Sequence, residues 1–401
     1  GVEYSDNIGR TSVDAQHETV IDAGLAMNVS RDRGALRLAL ATDLRYRKFL
    51  NGRFGNELLG GASARLAYEV IPDRLIWILE DEYGQSFIDP RAVETPQNRQ
   101  GVNFVTTGPD IRIPIGGITS LAIEGRASQA WYEESSLGST QYRAALGVVR
   151  QLGARNAVSA FASEDRFEYD DLPSGDDFKI RSAYLMFDGR GAKTNLRVMA
   201  GNSGLVGPDN DTSGLLLDVA LTREFTARSS LSFNAGTDLT EASGAFRRGR
   251  SGLDLAVTDD TFRLVSADPL RSTFAILSWS YAGPSRSLDI AMQWRKEEHE
   301  RRIELDRERL GAEATFTRRL QPSLSMSLYT SYFQDDFSSL QSGFDEWSVG
   351  LATDWRVVRA YSLRLRFDRI DGSIDASSAA PVLGKFVENR ASFRVTYTPG
   401  T

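Results

Sequence analysis

Apolar and polar residues alternate strictly along most of this chain, in runs of ten residues or more. Leu36, Leu38, Leu40, Thr42, Leu44 and Tyr46 share one parity, and Arg37, Ala39, Ala41, Asp43, Arg45 and Arg47 hold the other. A period of two belongs to a β-strand and sends the two sets to opposite faces. Leu121, Ile123 and Trp131 oppose Glu124, Arg126 and Ser128 in the same way. Leu288, Ile290, Met292 and Trp294 oppose Asp289, Ala291, Gln293 and Arg295. Further along, Leu324, Met326, Leu328 and Tyr332 oppose serines, and Leu363, Leu365 and Phe367 oppose Arg364, Arg366 and Asp368. Such runs exceed the roughly five or six residues of a soluble strand and are long enough to cross a bilayer at barrel tilt.

Connections between the runs alternate in length. Nine are short, from Arg31-Asp32-Arg33-Gly34 to Val357-Val358-Arg359-Ala360, and seven of them contain Gly, Pro, Asn or Asp. These residues supply the backbone angles of tight turns. Between them lie longer polar segments, near 49–55, 86–98, 133–140, 168–177, 202–212, 241–270, 298–306, 335–344 and 371–385. Short turns on one rim and long loops on the other mark a transmembrane β-barrel, with the turns periplasmic and the loops extracellular. The expectation is one all-β domain over 1–401, a single antiparallel meander barrel of about 20 strands (16–20) in the bacterial outer membrane. Aromatic residues at the ends of the apolar rows, such as Tyr46, Trp131, Trp294, Tyr332, Tyr361 and Tyr397, suit interfacial girdles. Leu75-Ile76-Trp77-Ile78-Leu79 is apolar on both faces, so either its inner face packs on something in the lumen or the strand is locally covered.

Composition fits this reading. Only 41% of residues are hydrophobic and the mean hydropathy is −0.32, yet a barrel strand shows lipid only one residue in two. No run approaches the ~20 apolar residues of a membrane helix. A strand-like opening at Gly1 suggests that a leader has been removed. The net charge of −7 argues against nucleic acid as a partner.

Candidate chemistry is sparse. With no cysteine there is no disulfide, thiolate site or Cys nucleophile. The two histidines, His17 and His299, stand in charged segments without a Gly-x-Ser-x-Gly elbow, and both are read as exposed loop residues. Pro208-Asp209-Asn210-Asp211 lacks calcium-loop spacing and is read as a solvated loop. No enzyme activity, metal or cofactor is expected. The inner face is more informative. Over the cleanest strands it carries Arg37, Arg45, Arg47, Arg126, Arg295, Arg364, Arg366, Arg390 and Arg394, against Asp43, Glu124, Asp289 and Asp368. An arginine-rich inner wall favours anions in a pore, whereas pairing with acids would make these residues the filling of a wet lumen.

The opening Gly1-Val2-Glu3-Tyr4-Ser5-Asp6-Asn7-Ile8 resembles the first strand of a family of outer-membrane β-barrel porins of Gram-negative bacteria, associated with exopolysaccharide biosynthesis and export gene clusters. The resemblance implies a pore for a secreted polysaccharide and no catalytic residues. The partners to expect are then outer-membrane lipid and lipopolysaccharide, an anionic polysaccharide and a periplasmic export partner. A general diffusion porin for small solutes and an adhesive protein acting through its long loops are the alternatives.

Overall fold

The computed structural model describes residues 1–170, 177–207, 212–241, 268–338, 342–375 and 384–399. Twenty strands form one sheet: β1 Val2–Ser5, β2 Glu18–Arg33, β3 Leu36–Phe49, β4 Glu57–Ile71, β5 Leu75–Phe87, β6 Arg99–Pro114, β7 Thr119–Tyr132, β8 Ser139–Gln151, β9 Asn156–Tyr169 and β10 Phe178–Arg190. The second half comprises β11 Thr194–Val206, β12 Thr212–Thr226, β13 Ser229–Thr240, β14 Leu270–Ala282, β15 Arg286–His299, β16 Arg307–Gln321, β17 Leu324–Phe337, β18 Ser342–Val358, β19 Tyr361–Asp375 and β20 Phe386–Tyr397. Each pairs antiparallel with its chain neighbours, and β1 closes the barrel by pairing with both β2 and β20. Because β1 is only four residues long, the closure lies at the level of Glu18–Ile21 and Arg390–Phe393. Two short 3₁₀ turns, Pro96–Asn98 and Ile303–Leu305, are the helical elements among the described residues.

All nine expected tight turns join strands on one rim, which is therefore the periplasmic one. Gly34 at φ +65° and Asp73 at φ +57° supply left-handed backbone in the first two. Four register shifts lie beside such turns, at Glu69/Ile71, Glu224/Thr226, Arg319/Gln321 and Arg356/Val358. A bulge there increases local twist and ends the ladder. The longest loop, 241–270, leaves and re-enters the opposite rim, although residues 242–267 lie outside the described residues, as does Pro208-Asp209-Asn210-Asp211.

Register fixes the facing. Leu38 lies opposite Arg31 and Leu66, and Leu365 lies opposite Thr353 and Phe393. Leu365 is 58% exposed, whereas Asp368 on the other face is 8% exposed. Leu36–Tyr46, Leu288–Trp294 and Leu363–Phe367 therefore present their apolar parity outward. In Leu75–Leu79, Trp77 and Leu79 point out while Ile78 is buried inward against the level of Ala67 and Gly108.

Candidate functional site: the barrel lumen

The inner wall changes character from the extracellular mouth to the periplasmic rim. At the mouth the inward residues turn apolar. Phe167, Tyr169, Phe178, Ile180, Leu205 and Leu239 form one buried cluster at the ends of β9, β10, β11 and β13. Phe344, Ile370 and Phe386 form another on β18, β19 and β20, and Val20 and Phe49 a third on β2 and β3. Loop side chains cover this collar. Ile8 and Phe54 pack on Val20 and Phe49, Leu137 on the first cluster, and Val93 on the second. The loop after β5 thus reaches the wall of β18–β20. Asn98 holds that loop in shape: its amide donates to the carbonyls of Asp89 and Val93 at 2.9 and 3.1 Å, and its side-chain oxygen accepts the Asp89 N–H at 2.8 Å.

Below the collar lies a belt of buried ion pairs. Arg10, in the loop after β1, donates to Glu346 at 2.8 Å and to Glu388 at 3.1 Å. Burial opposes the Arg10 charge, but Glu346 and Glu388 outweigh it and hold its pKa above the ordinary arginine value. Glu388 also accepts from Ser5 at 2.7 Å and pairs with Arg390 at 3.2 Å. On the far wall Arg307 meets Glu297 at 2.8 Å, and Asp335 lies 3.6 Å from Arg309. Asp6 and Asn7, in the opening segment, serve this architecture. Asp6 accepts both the backbone and amide N–H of Asn389 at 2.7 and 2.8 Å, and Asn7 donates to Val387 and Thr11. The segment stitches β1 and its loop to β20.

All nine arginines of the expected basic face turn inward, and eight meet a carboxylate on the same wall. Arg45 pairs with Asp43 at 3.2 Å, Arg47 with Glu3 at 2.7 Å and Glu57 at 2.9 Å, and Arg126 with Asp110 at 2.5 Å. Arg295 lies 3.8 Å from Glu297, Arg364 2.6 Å from Asp354, and Arg366 2.8 Å from Asp368. Arg394 reaches Asp22 at 3.0 Å, and Arg390 the Glu388 already described. Arg37 makes no ion pair among the described residues. Register does bring the last four together, with Arg364 opposite Arg394 and Arg390 opposite Asp368. Tyr329 joins them, donating to Asp368 while the Arg366 guanidinium lies 4.6 Å from its ring centroid. The wall there alternates in charge because Asp22 and Asp354 come from other strands, while Asp368 and Glu388 stand among the arginines themselves.

His299 corrects an expectation. It is the last residue of β15, opposite Leu270, and only 5% exposed. β15 continues past the lipid band, and its parity turns the ring into the mouth. His17 does lie exposed, in the loop before β2. Among the described residues no group of three His, Asp or Glu side chains could hold a metal.

Towards the periplasm the inner wall carries small polar side chains. Ser230, Ser232, Ser278 and Ser280 point inward on β13 and β14, and Ser287, Thr317 and Ser327 on β15, β16 and β17. A cavity of about 720 Å³ lies within the lumen, lined by Arg65, Glu80, Glu82, Arg143 and Asp165 among others.

No family model and no curated protein matches the chain. Solved structures do. The siderophore receptor PirA from Acinetobacter baumannii is 8% identical over 99% of this chain and 73% of its own, with a TM-score of 0.51. PirA from Pseudomonas aeruginosa is 10% identical over 99% and 79%, with a TM-score of 0.45. The ferric citrate transporter FecA is 11% identical over 98% and 77%, at 0.40. The first of these likenesses carries the comparison, and it is one of fold. The chain is a closed barrel of the bacterial outer membrane.

Proposed function

We propose that this barrel is a non-enzymatic pore through which a secreted polysaccharide leaves the periplasm, driven by machinery elsewhere. The observation that supports the reading is the asymmetry of the lumen. Its periplasmic half carries small hydroxyl-bearing residues on β12–β17, while loop residues Ile8, Phe54, Val93 and Leu137 pack against an apolar collar at the outer mouth. A wall of polar and charged side chains below the collar suits a hydrophilic cargo. A mouth held by packed loops suits a cargo that is pushed from behind, because a small solute lacks the means to part them. The ion pairs make the wall amphoteric, so attraction of an anionic polymer rests on Arg37 and on local excess rather than on a bare arginine surface. A periplasmic export protein and outer-leaflet lipopolysaccharide are the partners this reading requires.

Deleting the coding sequence and measuring polymer in the medium and in the periplasm tests the reading. Loss from the medium with accumulation inside, restored by the chain, is the expected result. In planar bilayers the purified barrel should show almost no steady conductance. Unchanged secretion together with a large steady current would replace the proposal with a general diffusion porin. Unchanged secretion with impaired growth under iron restriction would favour iron uptake.

A further inference from the structure

We propose that the periplasmic ends of β12–β17 carry a binding track for an uncharged, hydroxyl-rich chain, below the ion pairs of Arg295, Arg307 and Arg309 and apart from the arginines of β19 and β20. The proposal rests on the polysaccharide reading for its physiological setting, and it specifies the part of the lumen and the class of saccharide. Backbone register sets inward hydroxyls side by side on successive strands. Thr222 lies opposite Ser232, which lies opposite Ser278. Nearer the rim Ser230 lies opposite Ser280, which lies opposite Asp289, then Thr315. A third row runs Ser287, Thr317, Ser327. Adjacent strands are about 4.8 Å apart, so each row offers a hydroxyl at about that spacing across the wall.

Three properties of this surface point to the ligand. First, its side chains are short and partly exposed, so among the described residues they leave room in front of them. Second, the hydroxyls are poorly committed to one another. Thr317 and Ser327 approach to 2.9 Å, but Thr222 and Ser232 are 3.4 Å apart. Each hydroxyl has one donor and two acceptor positions, so most of that capacity faces the lumen. Third, the rows contain no arginine, and Asp289 is their exposed carboxylate. An ionised carboxylate accepts hydrogen bonds from two neighbouring hydroxyls of one sugar ring and repels a uronate or sulfate.

The energetics suit movement. A neutral hydroxyl–hydroxyl bond replaces bonds to water and contributes only about 0.5–1.5 kcal/mol net. Many such bonds hold a chain on the wall, and each is lost and remade as the chain advances. The ion-paired wall of β18–β20 would bind an anion at fewer, stronger points and slow it.

The absence of cysteine makes the test direct. Single Ser278→Cys and Arg364→Cys variants of the full chain, refolded in detergent, are labelled with a charged thiol reagent. Labelling is repeated with a neutral oligosaccharide of about six hexoses, an oligouronate of the same length, or polyethylene glycol of equal size. The expected result is that the neutral oligosaccharide at millimolar concentration slows labelling of Ser278→Cys at least five-fold. It should leave Arg364→Cys within two-fold, and polyethylene glycol should protect neither. Adding Ser232→Ala and Ser280→Ala to Ser278→Cys should remove most of the protection. Equal protection by polyethylene glycol would reduce the effect to occlusion and overturn the proposal. Protection by oligouronate alone, strongest at Arg364→Cys, would move the track to the arginine wall. Saccharide protection in a chain whose deletion leaves secretion intact would sink the secretion reading and keep the track. Lost secretion without protection at Ser278→Cys would do the reverse.

Discussion

Replacing Leu365 with arginine asks which face of the sheet meets lipid. Leu365 lies four residues above Tyr361 on β19, and the rings of Tyr361 and Tyr397 meet near the periplasmic rim, tilted, with centroids 5.1 Å apart. At about 3.4 Å per residue this is roughly 14 Å along the strand. A tilt of about 45° turns it into roughly 10 Å of depth, close to the middle of an apolar band about 25 Å tall. An arginine on the lipid face at that depth costs about 2–4 kcal/mol. The outward neighbours of Leu365 in register are Thr353 and Phe393, which offer no carboxylate to soften the cost.

The control is one residue away. Arg364→Leu removes a two-bond contact with Asp354, at 2.6 and 3.1 Å, on the lumen side. Both partners are about a third or more exposed to lumen water, so screening limits the pair to about 0–1 kcal/mol. The two folding costs should therefore differ by roughly 2 kcal/mol, around thirty-fold in the folding equilibrium. Urea unfolding of the chain refolded into phosphatidylcholine vesicles, followed by tryptophan fluorescence, measures both. Equal costs, or a larger cost for Arg364→Leu, would refute the facing and with it the assignment of the lumen.

The remaining expectations concern the mouth and the wall. Glu388→Ala leaves the buried Arg10 and the part-buried Arg390 without their shared carboxylate and should cost about 3–5 kcal/mol in the same assay; a loss below about 1 kcal/mol would show that the belt is wet. Val93→Asp should free the loop after β5 from Phe344, Ile370 and Phe386 and turn a silent barrel into a steadily conducting one in planar bilayers. Replacing Arg364, Arg366 and Arg394 with glutamine removes the guanidinium partners of Asp354, Asp368 and Asp22 and should move the reversal potential towards cation preference, whereas an unchanged potential would show that these pairs lie outside the ion path. Cysteine at Arg53 should label from outside whole cells and cysteine at Ala35 should not.

The barrel was legible because its two determinants are local. A strand's facing follows from parity within one run, and seven of the nine tight turns carry their own Gly, Pro, Asn or Asp. Strand number followed from counting turns, and the outward rows Leu36–Tyr46 and Leu363–Phe367 needed no knowledge of neighbours. The apolar collar left a fainter mark. In β3 the apolar parity runs through even positions to Tyr46, and then Phe49 appears at an odd one. In β9 Val158, Ala160 and Ala162 hold the outer parity, while Phe167 and Tyr169 hold the inner. Such a change of phase at the loop end of a strand signals that the inner face has stopped meeting water.

The charge of the lumen was not legible, because it is a property of pairs across strands. Arg364, Arg366, Arg390 and Arg394 read as a basic patch when β19 and β20 are taken alone. The acids that meet them stand at Asp22 on β2, Asp354 on β18, and Asp368 and Glu388 within the patch itself. Only register brings Asp22 within 3.0 Å of Arg394, 372 residues away in the chain. Arg10 adds a second difficulty, since its loop enters the mouth from a segment with no alternation to reveal a facing. The hydroxyl rows were hidden for the opposite reason. Serine and threonine on an inner parity read as neutral filler in each strand, and they become a surface only when six strands set them side by side. A lumen is thus harder to read than a barrel: the wall's shape is written along each strand, and its chemistry is written across them.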